Sequence, residues 1–155
     1  MTLFWSISCL IFNFYCSKST VHELDRDFPA GWIGFGHAFS LQREHDPAIS
    51  AYSTAARLYQ GCHLPLVFLG MEYQRMSDMN KCDSSLQLAF SIAPSDYLTE
   101  NELGVKHYRL NNTAAALLHF RRAIGIVEAQ ECHKSIFYAL LLNAAYAHRR
   151  LGYDF

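Results

Sequence analysis

The sequence predicts an all-α solenoid of helical hairpins, and three observations carry that prediction. Gly36, Gly70 and Gly104 are spaced 34 residues apart. A set of bulky residues recurs around each glycine: Trp32, Phe35, Gly36 and Phe39 form W-x-x-F-G-x-x-F, and Leu66, Leu69, Gly70 and Tyr73 repeat it. Leu103 and Gly104 repeat it once more, with Tyr108 supplying the aromatic one place late. A second set follows each glycine at constant distance: Ala48, Tyr52 and Ala55, then Cys82, Leu86 and Ala89, then Ala116, Phe120 and Ala123. Pro94 falls where the second unit should end. Self-similarity at a fixed period of this size is the mark of stacked supersecondary units.

A period of 34 with W-L-G-Y, then A-F-A, then proline, is the signature of the tetratricopeptide repeat (TPR), two antiparallel helices A and B per unit, stacked in a right-handed superhelix. Glycine inside a helix costs about 1 kcal/mol against alanine. It therefore asks for a packing reason, and close approach of helix B to helix A supplies one. Three full units are expected over residues 29–62, 63–96 and 97–130. Residues 131–155 then hold a linker and the first helix of a partial fourth unit. Leu141, Ala144, Ala145 and His148 match helix A there, with Ala145 in the glycine's place. Gly104 to Ala145 is 41 residues, so seven extra residues lie near "VEAQECHKS". Asp46-Pro47 reads as an N-cap followed by proline opening helix B of the first unit. Asn80 holds the same phase in the second unit, and Asn111, Asn112 and Thr113 punctuate the third. Residues 1–28 form an apolar N-terminal segment, read as a remnant of a preceding repeat helix. Solenoids normally end on polar capping helices, and none is expected here. Apolar surface is therefore expected at Phe137, Leu141 and Ala144, with self-association through uncapped ends.

Composition excludes several function classes. Hydrophobic residues make up 51% of 155 and charged residues 17%, too apolar for a disordered chain and enough for one domain. A net charge of −1 gives no electrostatic case for nucleic acid or an anionic membrane. Leu3 to Tyr15 is apolar but too short to span a bilayer as a helix. "GWIGFGH" does not match G-x-G-x-x-G and follows no strand, so no nucleotide or other cofactor is expected. The five cysteines, at 9, 16, 62, 82 and 132, are odd in number and include no C-x-x-C, which fits a reducing intracellular compartment. Cys62-His63 and Cys132-His133 fall short of the four convergent ligands of a structural zinc site. Glu44-His45-Asp46 sits in a turn and reads as helix capping. No G-x-S-x-G or H-E-x-x-H occurs, and no enzyme is expected.

The concave face is the candidate site. In a TPR array, positions 2, 5, 9, 12 and 13 of each helix A line it. Position 13 reads Leu41, Arg75, Arg109, Arg150; position 9 reads His37, Met71, Val105, Tyr146; position 5 reads Ile33, Val67, Asn101, Leu142. An arginine column beside a largely apolar one suits an extended or helical protein segment with apolar anchors and acidic groups. The same column reads equally well as solvated arginines at helix C-termini, favoured there by the dipole.

Individual stretches say more than the period does. "WIGFGHAFSLQREHDPAISAYSTAARL" (Trp32 to Leu58), "GCHLPLVFLGMEY" (Gly61 to Tyr73) and "LAFSIAPSD" (Leu88 to Asp96) closely resemble the cell division cycle protein 16 family. "YCSKST" (Tyr15 to Thr20) looks like the end of a preceding helix B. The resemblance runs from about residue 15 onward and weakens after Gln130. Its most specific elements are Gly61-Cys62-His63-Leu64-Pro65 and Glu44-His45-Asp46, which the generic repeat does not require. It implies a non-catalytic scaffold subunit of the anaphase-promoting complex, a ubiquitin ligase acting in mitosis, in nucleus and cytoplasm. It also implies contacts with other subunits, including a small one whose N-terminal segment lies in the groove. Family members are several times longer, and Met1 to Phe14 has no counterpart. Dimerisation through the family's N-terminal repeats does not carry over. The alternative is a generic TPR adaptor or co-chaperone binding an acidic tail. That clamp uses Lys at position 5 and Asn at position 9 of its first unit, where this chain has Ile33 and His37.

Overall fold

The computed structural model describes residues 28–130 and 133–152. The apolar N-terminal segment, with Cys9 and Cys16, lies outside the described residues, as does Cys132. Seven helices run in order: α1 (Pro29–Leu41), α2 (His45–Leu58), α3 (Leu64–Arg75), α4 (Met79–Ile92), α5 (Tyr97–Arg109), α6 (Thr113–Ala129) and α7 (Lys134–Arg150). No strand occurs among the described residues. α1–α2, α3–α4 and α5–α6 pair as hairpins, each hairpin packs on the next, and α7 lies against α6 and α5. This is an all-α TPR solenoid.

The glycines show why each hairpin closes so tightly. A Cβ built on Gly36 would sit 2.4 Å from the Tyr52 ring, one on Gly70 2.7 Å from Leu86, and one on Gly104 2.6 Å from the Phe120 ring. Each glycine is thus a seat for the one large residue of the facing helix. Ala48, Ala55, Cys82, Ala89, Ala116 and Ala123 are fully buried along the same seams. Trp32 packs edge-on against Phe35, and Phe35 against Phe39, with ring centroids 6.3 and 4.6 Å apart. Tyr73 packs between the first and second hairpins, touching the clusters around Tyr52 and around Leu86. The offset aromatic of the third unit turns out differently. Position 11 is His107, whose ring stacks on His119 of α6 with centroids 5.1 Å apart, and Tyr108 packs towards Phe120 and Ala144.

The A-to-B turns repeat as faithfully as the glycines. Arg43, Ser77 and Asn111 adopt φ of 62°, 63° and 61°. At each, the next residue's N–H reaches back five positions: Glu44 to the Phe39 carbonyl, Asp78 to Tyr73, Asn112 to His107. Arg43, Ser77 and Asn111 themselves donate to the carbonyls of Ser40, Gln74 and Tyr108. This paired pattern is the Schellman motif, which satisfies the orphan carbonyls at the end of helix A. The expected caps move accordingly. Helix B begins at the residue after the left-handed one, so its N-caps are Glu44, Asp78 and Asn112. Asp78 accepts from the Lys81 N–H and Asn112 from the Ala115 N–H. Asp46 and Asn80 lie inside the first turn of their helices, and Pro47 sits at the third helical position.

The extra residues between the third and fourth units lengthen helices rather than forming a long loop. α6 and α7 have 17 residues each, against 14 in α4 and 13 in α5. On α7, Ala144 is buried against Ala116 and Phe120, and Phe137 packs with Val127 and Leu140. The exposed apolar residues there are Leu141, as expected, with Tyr138, Leu142 and Tyr146. Cys62 is half-buried and Cys82 buried, both as free thiols.

Candidate functional site: the concave face and its arginine column

Position 13 of each helix A lies in its last turn, pointing back toward the preceding helix A. Arg75 donates to the Ser40 hydroxyl at 2.6 Å and pairs with the Glu72 carboxylate. Arg109 donates to the Gln74 carbonyl. Arg150 donates to the Tyr108 carbonyl at 3.0 Å and to the Asn111 side chain, and its guanidinium lies 4.7 Å from the Tyr108 ring centroid. Ser40, Gln74 and Tyr108 all occupy position 12 of their helices. Arg75 and Arg109 each reach a residue 35 positions back, and Arg150 reaches 42 back, the same step plus the seven inserted residues. The column therefore stitches each helix A to the C-terminal end of the one before. The expected free rail for acidic partner groups is corrected in that respect: all three guanidiniums are engaged within the chain.

The apolar columns divide by burial. Val67 is fully buried in the core around Leu86 and Leu103, so no partner can touch it. Asn101 is also buried. It donates to Glu102 at 3.0 Å and accepts from Asn143 of α7 at 2.8 Å, tying α5 to α7. Both leave the set of groove contacts. Half-buried His37 hydrogen-bonds the Tyr52 hydroxyl at 2.7 Å and packs edge-on to Phe68 at 4.5 Å. Burial lowers its pKa. Met71 and Val105 are half-buried, and Leu142 and Tyr146 are exposed.

Several buried charges escaped the sequence reading. Glu72, almost wholly enclosed, accepts from the Ser40 hydroxyl at 2.6 Å, from Arg75, and lies 2.7 Å from His45 Nδ1 at the start of α2. Buried Lys106 pairs with Asp83 of α4. Glu100 meets His119 at 2.7 Å. Glu102 has Asn101 as its hydrogen-bond donor, and burial pushes its carboxyl up to about 7 against the opposing pull of Asn101, Arg75 and Arg109. A buried acid between apolar neighbours on helix A, as Glu72 is between Met71 and Tyr73, was the available signal. These groups form a polar layer between hairpins. No group of three or more His, Cys, Asp or Glu side chains among the described residues is arranged to hold a metal ion. No described helix is long and apolar enough to cross a membrane.

The fold and this concave face define a TPR protein-interaction scaffold. No family model matches the chain. Among characterised proteins it is 37% identical over 138 residues to the anaphase-promoting complex subunit CDC16 of Saccharomyces cerevisiae, covering 89% of this chain and 16% of that protein. It is 39% identical over 137 residues to the subunit cut9 of Schizosaccharomyces pombe, covering 88% and 20%. The crystal structure of the APC/C hetero-tetramer Cut9–Hcn1 superposes with a TM-score of 0.76 at 37% identity, over 83% of this chain and 24% of that one. The chain is thus a homologue of the CDC16/Cut9 subunits of the anaphase-promoting complex, and it spans about a fifth of their length.

Proposed function

We propose that the chain serves cell division as a non-catalytic scaffold within the anaphase-promoting ubiquitin ligase, in nucleus and cytoplasm. Its concave face holds a segment of a small partner subunit. The supporting observation is the match to Cut9, which was crystallised with Hcn1, over 83% of the chain. Because the arginine column is already engaged, the anchors offered to the segment are the apolar side chains of Met71, Val105, Leu142 and Tyr146. That preference also argues against an acidic-tail co-chaperone clamp.

The test is titration of Hcn1 onto the full chain. Tyr146→Ala, at an exposed position, should weaken binding about tenfold with the fold intact, as truncated aromatic anchors do. The outward-facing control Arg57→Ala should bind like the parent. No binding by the parent chain, or equal affinities for the two variants, would sink the proposal.

A further inference from the structure

The open side of α7 carries Tyr138, Leu141, Leu142, Ala145 and Tyr146, spaced i, i+3, i+4, i+7 and i+8. That spacing is the stripe by which one helix packs on another. Yet Tyr138 is 63% exposed, Leu142 47%, Tyr146 46% and Leu141 40%. A contiguous apolar stripe left in water marks an interaction surface. Elsewhere in the chain the same side of helix A is covered. Leu141 holds the position of Trp32 and Leu66, and Ala145 that of Gly36, Gly70 and Gly104, which lie under Tyr52, Leu86 and Phe120 of the facing helices.

Two features restrict what can cover α7. The first is Ala145. Its methyl group occupies the volume that a large facing residue fills at the glycine seats, where a Cβ would come within 2.4–2.7 Å of that residue. The covering helix must put a small side chain opposite it. The second is charge. α7 contains no Asp or Glu; Lys134 opens it, and His148, Arg149 and Arg150 close it. A second copy of α7 laid antiparallel would bring Lys134 against Arg149 and Arg150, and a parallel copy would match like with like, both repulsive.

We infer that this face docks an amphipathic helix supplied from outside the chain, with a small residue opposite Ala145 and acidic side chains flanking both ends of its apolar stripe. The apolar stripe supplies the adhesion, the flanking charges set the direction and exclude basic helices, and Ala145 selects against bulky residues at the centre.

The probes are three synthetic helices of about 18 residues with one leucine stripe. The first has glutamate flanks and a central alanine, the second lysine flanks, and the third a phenylalanine in place of the central alanine. Anisotropy titrations use the full chain. The first probe should bind, and each of the other two about tenfold more weakly. Leu141→Glu should weaken the first probe by about tenfold or more, whereas Leu118→Glu, on the outer face of α6, should leave it unchanged. Failure of the first probe to bind overturns the inference, as do equal affinities for glutamate- and lysine-flanked probes. A concentration-dependent dimer that Leu141→Glu abolishes would make a second copy the occupant, and that also overturns it. Leu141 lies outside the groove columns, so these outcomes are separate from the fate of the Hcn1 reading.

Discussion

Gly70 and Arg109 hold helices together in two different ways. Inside a hairpin the join is shape: a missing side chain on one helix receives Leu86 from the other, with buried alanines and cysteine on either side. Between hairpins the join adds charge and hydrogen bonds: Arg109 to the Gln74 carbonyl, Glu72 to Ser40, Arg75 and His45, Lys106 to Asp83. Shape-based joins lose much when one atom group is removed, because the seat stays empty. Polar joins at a partly wet surface lose little for each bond removed, because water replaces the partner. The hairpin should accordingly be the unit that stays whole, and the stacking of hairpins the part that yields.

Breaking a seam should have the largest effect. Phe120→Ala empties the seat on Gly104, and destabilisation of about 3–5 kcal/mol is expected by chemical denaturation. A loss under 1 kcal/mol would mean that the third hairpin closes without its knob.

The polar layer can be probed through pH. Burial raises the Glu102 carboxyl to about 7 from an ordinary value of 4.5. The folded chain then holds that proton up to a higher pH than the unfolded chain does. Stability from this group is greatest below about pH 4.5, falls as pH rises toward 7, and its cost is fully present above that. Glu102→Gln should therefore stabilise by roughly 2 kcal/mol at pH 8 and by little at pH 4.5. A variant whose stability runs parallel to the parent from pH 4.5 to 8 would show that the carboxyl is solvated in both states.

The smallest effect is expected at the arginine stitches. Arg109→Ala removes one donor from a carbonyl that also receives the Ser77 N–H, so a loss of about 0.5–1.5 kcal/mol should appear. A loss as large as that of Phe120→Ala would erase the distinction between the two kinds of join.

The same distinction explains what could be read from the residues alone. A seam depends on residue size, and size is written in the sequence. Gly36, Tyr52, Gly70, Leu86, Gly104 and Phe120 could be paired by spacing without any coordinates. The arginine column was visible as a column, but its acceptors at Gln74 and Tyr108 are backbone carbonyls, which no residue type reports. Val67 and Asn101 were placed in the groove by repeat position, although the next hairpin covers them. The caps were set two residues late because Asp46-Pro47 looks like a helix start, whereas the left-handed residue before the true cap is Arg43, Ser77 or Asn111, of which only asparagine advertises that conformation.

The seven inserted residues have a consequence of their own. They divide as about one turn added to α6 and one to α7, since a turn takes 3.6 residues. Arg150 consequently still faces Tyr108, two turns further along the chain. Insertions in such a hairpin behave like gear teeth: a whole turn on each helix keeps the two surfaces meshed. One residue more or fewer would rotate everything downstream by about 100°, carrying Arg150 off its carbonyl and turning the apolar stripe of α7 toward α6. Length variation at this junction should therefore be tolerated in steps of seven and resisted in between.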